Sequence, residues 1–218
     1  NGFSSPMAAP VSVDPSIDTL DLKDMLFGTM FYWRVRAIHS MDTSEWSGAR
    51  TFHTEAFPEL DDPDNGSSGQ PLDLLLSWRK LGEHIAYELQ IDEDPAFGTP
   101  VEILTDAIEA EAELLQYGEE YNWRVKGMHT KDESEWSEVW QFTTSNSVAL
   151  VSPDNGSTDQ KVVPVLEWEG IGGTLDYHVQ LSTTNDFDQL IVDELVEQNG
   201  DETSLIVPTV LEKATEYF

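Results

Sequence analysis

Phe31-Tyr32-Trp33-Arg34-Val35-Arg36-Ala37-Ile38-His39 is written a second time in this chain, as Tyr121-Asn122-Trp123-Arg124-Val125-Lys126-Gly127-Met128-His129. The neighbours return with it. Ser44-Glu45-Trp46-Ser47 comes back as Ser134-Glu135-Trp136-Ser137, and Phe52 and Thr54 come back as Phe142 and Thr144. The spacing is 90 residues throughout, from position 34 to position 124 and from position 46 to position 136. A fixed period of this size marks serial copies of one small folding unit. Inside each copy Trp and Val alternate with Arg or Lys, the period-two pattern of a strand with one buried face.

Further landmarks carry the period onward. Pro63-Asp64-Asn65-Gly66-Ser67 recurs as Pro153-Asp154-Asn155-Gly156-Ser157, Trp78 as Trp168, Tyr87 as Tyr177, Gln90 as Gln180 and Phe97 as Phe187. Leu115, Gly118 and Tyr121 then match Leu211, Ala214 and Tyr217 at a spacing of 96, so a connection in the last copy is longer. Phe3 and Pro6 match Phe97 and Pro100 at 94. Residues 1–54 therefore read as the C-terminal half of a unit, 55–145 as a complete unit and 146–218 as the N-terminal part of a third. On this reading the two ends cut through units of a longer chain, and Phe31, Trp33 and Val35 should face water without partner strands. A competing reading has the terminal halves of neighbouring subunits completing each other head to tail. Against it, both halves contain the segment between the Phe97-like and Tyr121-like landmarks, so they are not clean complements.

The chain holds 42 Asp and Glu against 11 Lys and Arg, a formal charge of −31 over 218 residues. With 39% hydrophobic residues and seven Trp it is a folded acidic protein, not an acidic tail. That charge disfavours nucleic acid and anionic lipid as partners and suits a salty medium. There is no cysteine, which excludes disulfides, zinc-thiolate sites and thiol catalysis. No apolar run approaches the roughly 20 residues of a membrane span.

Within the middle unit, Leu72, Leu74, Leu76 and Trp78 share one face of a strand pattern, as do Ile85, Tyr87, Leu89 and Ile91, and Tyr121, Trp123 and Val125. Turn signals at Asp64-Asn65-Gly66, Leu81-Gly82-Glu83, Phe97-Gly98-Thr99-Pro100 and Tyr117-Gly118 separate them. The spacing predicts an all-β, two-sheet antiparallel sandwich. Ala107–Leu115 consists of good helix formers, yet it aligns with the β-like Thr203–Pro208, so a strand or strand-plus-turn is expected there.

Taken in order, Pro-Asp-Asn-Gly-Ser, the lone Trp, Tyr-x-x-Gln, Leu-x-x-Gly-x-x-Tyr, Trp-Arg-Val, Ser-x-Trp-Ser and Phe-x-Thr resemble tandem fibronectin type III domains, most of all those of bacterial exported and surface proteins. The resemblance implies seven-stranded immunoglobulin-like sandwiches, one complete and two partial. It also implies tyrosine corners at Tyr121 and Tyr217, whose hydroxyls bond back to the upstream backbone. The first copy has Phe31 in that place and lacks the hydroxyl. The Ser-Glu-Trp-Ser segments are similar to the Trp-Ser-x-Trp-Ser element of cytokine-receptor modules. Arg34 and Arg36 are accordingly expected over Trp46, and Arg124 and Lys126 over Trp136, at about 0.5–1 kcal/mol per contact.

Candidate sites are few. Asp62, Asp64 and Asn65 at one junction, and Asp154 and Asn155 at the next, could gather oxygen ligands for calcium, although the spacing is not that of an EF-hand. A Pro-Asn-Gly turn explains the same residues without an ion. Asn65-Gly66-Ser67 and Asn155-Gly156-Ser157 also fit the N-glycan acceptor pattern. Tyr32 and Trp140 are expected to be exposed, either to stack on sugar rings or simply to cover the outer sheet face. His39 and His129 share a repeat position and read as a structural slot. No carboxylate pair, phosphate loop or nucleophile elbow stands out, so no catalytic residue and no resident cofactor other than calcium is expected. The expected function is a non-catalytic spacer, or a fibre or adhesin segment, outside the cell. Its partners would be adjacent repeats, other copies of itself, or glycans. The alternatives are a carbohydrate-binding or linker module of a secreted polysaccharide-degrading enzyme and a self-complementing filament subunit.

Overall fold

The computed structural model describes residues 22, 25–173, 176–197 and 203–218. The Phe3 and Pro6 landmarks lie outside them. Sixteen strands and no helix are found among the described residues.

Strands β1 (Met30–Trp33) and β2 (Arg50–His53) form an antiparallel pair in which Phe31 lies opposite Phe52, their rings stacked at 5.5 Å. The next strands are β3 (Leu60–Asp62), β4 (Ser67–Gln70), β5 (Leu75–Trp78), β6 (Ala86–Asp92), β7 (Val101–Thr105), β8 (Glu109–Glu111), β9 (Glu120–His129), β10 (Asp132–Glu133) and β11 (Trp140–Thr144). They make two sheets, one in the order β3-β5-β8 and the other β4-β11-β9-β6-β7 with β10 beside β9. Seven strands were expected here, and nine are found. The additions are the two-residue β10 and the separate β4. Between β3 and β4 lie a cis Asp62–Pro63 bond and Gly66 at φ 82°, and past that corner the chain crosses to the other sheet and runs parallel to β11.

The two sheets bury the faces that alternation assigned to them. Leu74, Leu76 and Trp78 from β5 and the turn before it meet Tyr87, Leu89 and Ile91 from β6 and Tyr121, Trp123 and Val125 from β9, with Phe142 from β11. Each large side chain taken fully out of water contributes about 1.5–3 kcal/mol. The Leu72 end of the expected strand is turn, since β5 opens only at Leu75. The helix-prone 107–115 stretch contains β8 and then a turn, with Leu114 at φ 63°. Tertiary pairing of β8 with β5 overrides helix propensity there.

Beyond residue 146, β12 (Leu150–Ser152), β13 (Val165–Trp168) and β16 (Ser204–Ile206) form one sheet, and β14 (Asp176–Ser182) pairs with β15 (Leu190–Glu197). A second core gathers Leu181, Val192 and Val207, with Leu166, Leu205, Leu211 and Tyr217 packed against it. Ser182 and Phe218 exchange both backbone hydrogen bonds, at 2.8 and 3.0 Å. Equivalent positions differ sharply in burial. Trp123 and Val125 are 0% exposed, whereas Trp33 and Val35 are 47% and 60% exposed; among the described residues no further strand pairs with β1 and β2.

Candidate functional site: the arginine and tryptophan face

The outer face of the larger sheet gathers most of the polar chemistry in the middle unit. Arg124 and Lys126 leave β9 on the side opposite Trp123 and Val125, because side chains alternate along a strand. The Ser134–Ser137 segment then folds back alongside β9. Ser134 N–H donates to Gly127 O and Ser137 N–H to Val125 O, both at 2.8 Å. The two serine hydroxyls complete the pairing. Ser134 Oγ accepts Gly127 N–H at 2.8 Å and Ser137 Oγ accepts Val125 N–H at 3.0 Å, while each donates to the carbonyl of the residue after it. The serines thus stand in for strand carbonyls and hold Trp136 over the basic side chains.

The stack that results matches the expectation from sequence. Arg124 Cζ lies 4.3 Å and Lys126 Nζ 5.0 Å from the Trp136 ring, and Arg34 and Arg36 lie 4.3 and 4.5 Å from Trp46. Phe97 adds a ring that the pattern did not announce, 4.0 Å from Arg124 Cζ. Buried Gln90 accepts from Arg124 Nε and Nη2 at 3.0 and 2.7 Å and donates to Glu88 and Glu102. Lys126 Nζ sits 3.1 Å from both Glu88 and Glu133. Burial acts to lower the Lys126 pKa, but the hydrogen bonds it donates to Glu88 and Glu133 carry it above the usual lysine range. In this unit the cations are therefore paired on one side and stacked on the other, which leaves little for capture of an anion.

Both expected tyrosine corners are present. Tyr121 Oη accepts Gln116 N–H at 2.9 Å, and Tyr217 Oη accepts Glu212 N–H at 2.8 Å. A second tyrosine bond was not foreseen: Leu81 N–H donates to Tyr87 Oη at 3.0 Å and Ile171 N–H to Tyr177 Oη at 3.2 Å. The six-residue step back to a Gly-containing turn in each copy was the readable signal. Thr54 and Thr144 share one role. Each hydroxyl accepts an N–H, from Thr29 and Glu119, and donates to a carbonyl, of Leu26 and Gln116.

The calcium candidates occupy turns. Asn65 Oδ1 accepts Gln141 N–H at 2.9 Å, Asp64 O accepts Ser67 N–H at 3.0 Å, and Asp154 O accepts Ser157 N–H at 3.0 Å. Asp62 ends β3, and Asn155 is exposed. Among the described residues no three His, Asp or Glu side chains come together in a group able to hold a metal ion. His39 and His129 do fill one structural slot, each Nδ1 accepting the N–H two residues on. Of the two sugar-stacking candidates, Tyr32 is exposed but Trp140 is half-buried, set edge-on against Trp123 at 6.2 Å. Its alternation with Phe142 and Thr144 turns it inward, contrary to its expected exposure.

A hollow of about 710 Å³ lies at one end of the middle unit, beside Lys80, His84, Asp106 and His129. Lys80 is paired with Glu83 at 2.7 Å on its rim. The described residues contain no helix long and apolar enough to cross a membrane.

Sheet order, tyrosine corner and serine-clamped tryptophan together make this an all-β protein of fibronectin type III-like fold. The chain matches no protein-family model and no curated protein. Among solved structures, the FN1–FN3 domains of chicken CNTN1 align over 89% of this chain and 69% of theirs, at 17% identity and a TM-score of 0.34. Domains d3–d4 of rat CD45 align over 64% and 77%, at 13% identity and a TM-score of 0.32. The chicken interferon gamma receptor alpha chain aligns over 74% and 85%, at 12% identity and a TM-score of 0.36.

Proposed function

We propose that this chain is a non-catalytic structural segment of a repetitive extracellular protein. Its units, 1–54, 55–145 and 146–218, would stand end to end as a spacer or as the body of a surface fibre or adhesin. One observation carries this reading. The side chains with chemical potential are spent on holding each unit together, and they are spent the same way 90 residues apart. Trp46 and Trp136 cover arginines, Thr54 and Thr144 pin the corner loop, and Tyr87 and Tyr177 pin the turn before them. What recurs is scaffold, and the net charge of −31 favours solubility.

The test has two parts. Small-angle scattering should give an elongated particle, and the chain should show neither hydrolysis of polysaccharides nor retention on a glycan array. Retention that disappears in Tyr32→Ala would overturn the spacer reading in favour of a carbohydrate-binding module, since Tyr32 is the exposed ring of the two candidates.

A further inference from the structure

We infer that the junction between the first and middle units is a fixed joint, so that residues 25–54 and the middle unit move as one body. Both sides of the connecting segment are held. On one side, Gly28 N–H donates to Glu55 O at 2.9 Å and Thr54 Oγ1 donates to Leu26 O at 2.7 Å. On the other, Glu135 N–H donates to Ala56 O at 3.0 Å. The two residues that would have to swivel, Glu55 and Ala56, each have the carbonyl engaged, one on each side.

The loop at 25–28 then docks directly on the end of β9 and on β10. Phe27 N–H donates to Asp132 Oδ2 at 2.9 Å. The Phe27 ring packs on the His129 ring, centroids 5.1 Å apart, and its edge approaches the Gly127 backbone. His129 Nδ1 accepts Lys131 N–H, so the neutral ring carries its proton on Nε2 and donates it to Met25 O at 3.1 Å. A Cβ at Gly127 would stand 2.7 Å from Leu81 Cδ1, so glycine there serves packing inside the middle unit, and Phe27 Cζ would lie at an ordinary 3.7 Å from it. A small interface between units ordinarily leaves them free to hinge. Here a charge-assisted bond, a histidine bond and a ring contact add to the bonds at Glu55 and Ala56, and a hinge motion between the units has to break or strain them.

This deepens the spacer reading, on which its use depends, while its geometry stands independently. The chain lacks cysteine, so labels on introduced cysteines report single sites. Thr51→Cys and Glu138→Cys place spin labels on exposed positions of the two units. Pulsed dipolar spectroscopy on the full chain should give one narrow distance distribution. With Asp132→Ala and His129→Ala combined, the distribution should broaden about twofold or more, towards the free hinge that is the default for small contacts. Asp132→Asn keeps an acceptor for Phe27 N–H and should keep the narrow distribution. Near-ultraviolet circular dichroism of the buried tryptophans verifies that the middle unit is still folded in each variant. A broad distribution in the parent, or an unchanged one in the folded double variant, overturns the fixed joint and leaves a spacer of hinged units. Glycan binding or turnover would overturn the spacer and leave the joint.

Discussion

Phe97 takes a left-handed backbone conformation, φ 54°, and lays its ring 4.0 Å from the Arg124 guanidinium. A side chain with a Cβ resists that conformation by about 1–2 kcal/mol. The offset comes from the stack that Arg124 completes between Phe97 and Trp136 and from its two bonds to Gln90. Arg124→Lys removes the planar fork and keeps the charge. It should cost about 1–3 kcal/mol, because a stacked, bidentate arginine is not replaced by an ammonium. Thermal unfolding of the middle unit should drop by roughly 4–8 °C per kcal/mol. A variant within experimental error of the parent would show that the stack contributes nothing.

The serine hydroxyls of the folded-back segment should matter unequally in the two copies. Ser134→Ala and Ser137→Ala strand the buried N–H groups of Gly127 and Val125, at about 1–3 kcal/mol each. Ser44→Ala and Ser47→Ala remove the same bonds from exposed Ala37 and Val35, where water replaces them, and should cost under about 0.5 kcal/mol. Hydrogen exchange at Val125 and Gly127 should quicken in the first pair, and equal effects in both copies would contradict the role assigned to burial.

Alkali should destabilise the middle unit through its tyrosines and Lys126. Burial raises the Tyr87 and Tyr121 hydroxyls above the usual phenol value of 10.0, and Lys126 also lies above its usual 10.5, its two glutamate bonds outweighing the opposing effect of burial. For each group the folded form holds the proton more tightly. The stability is therefore fully present below the unfolded pKa and is lost as pH rises through the folded one. Denaturant midpoints should hold steady from neutral pH to about 9.5 and then fall. Tyr121→Phe should lose about 0.5–1.5 kcal/mol at neutral pH, the net worth of the bond from Gln116 N–H, and should show a shallower decline in alkali. A midpoint unchanged at pH 11 would refute this.

Leu114 is a position to improve. It sits at φ 63° with 79% of its surface exposed, so it bears left-handed strain and buries little in return. Leu114→Asn, which tolerates that conformation through its short polar side chain, should stabilise the chain by about 0.5–1 kcal/mol. A lower melting temperature would mean that Leu114 makes a contact the fold depends on.

Much of this was readable in the residues. Alternation placed Trp123 and Val125 inward and Arg124 and Lys126 outward, and the repeat carried the tyrosine corner from Tyr121 to Tyr217 across a change in spacing. The repeat also resolved 107–115, where composition alone favoured a helix. What stayed hidden depends on backbone geometry that a side-chain pattern does not encode. Phe97 reaches Arg124 only through a left-handed turn, and the serine hydroxyls accept strand N–H groups only once the segment has folded back. Trp140 was misplaced for a different reason: the 140–144 stretch was read only as a repeat landmark, and alternation with Phe142, two residues on, points Trp140 inward.

The crossover at Pro63–Gly66 has a mechanical meaning. Because β4 runs parallel to β11, a pull on the two ends of the middle unit drags these strands past each other lengthwise. The bonds joining the two edges, from Gly66 N–H to Gln141 O and from Ser145 N–H to Gln70 O, both at 2.8 Å, would then share the load and fail together instead of unzipping one by one. Tension is borne where the first and last segments of the unit lie side by side, and the tryptophan-lined interior is shielded until that patch gives way.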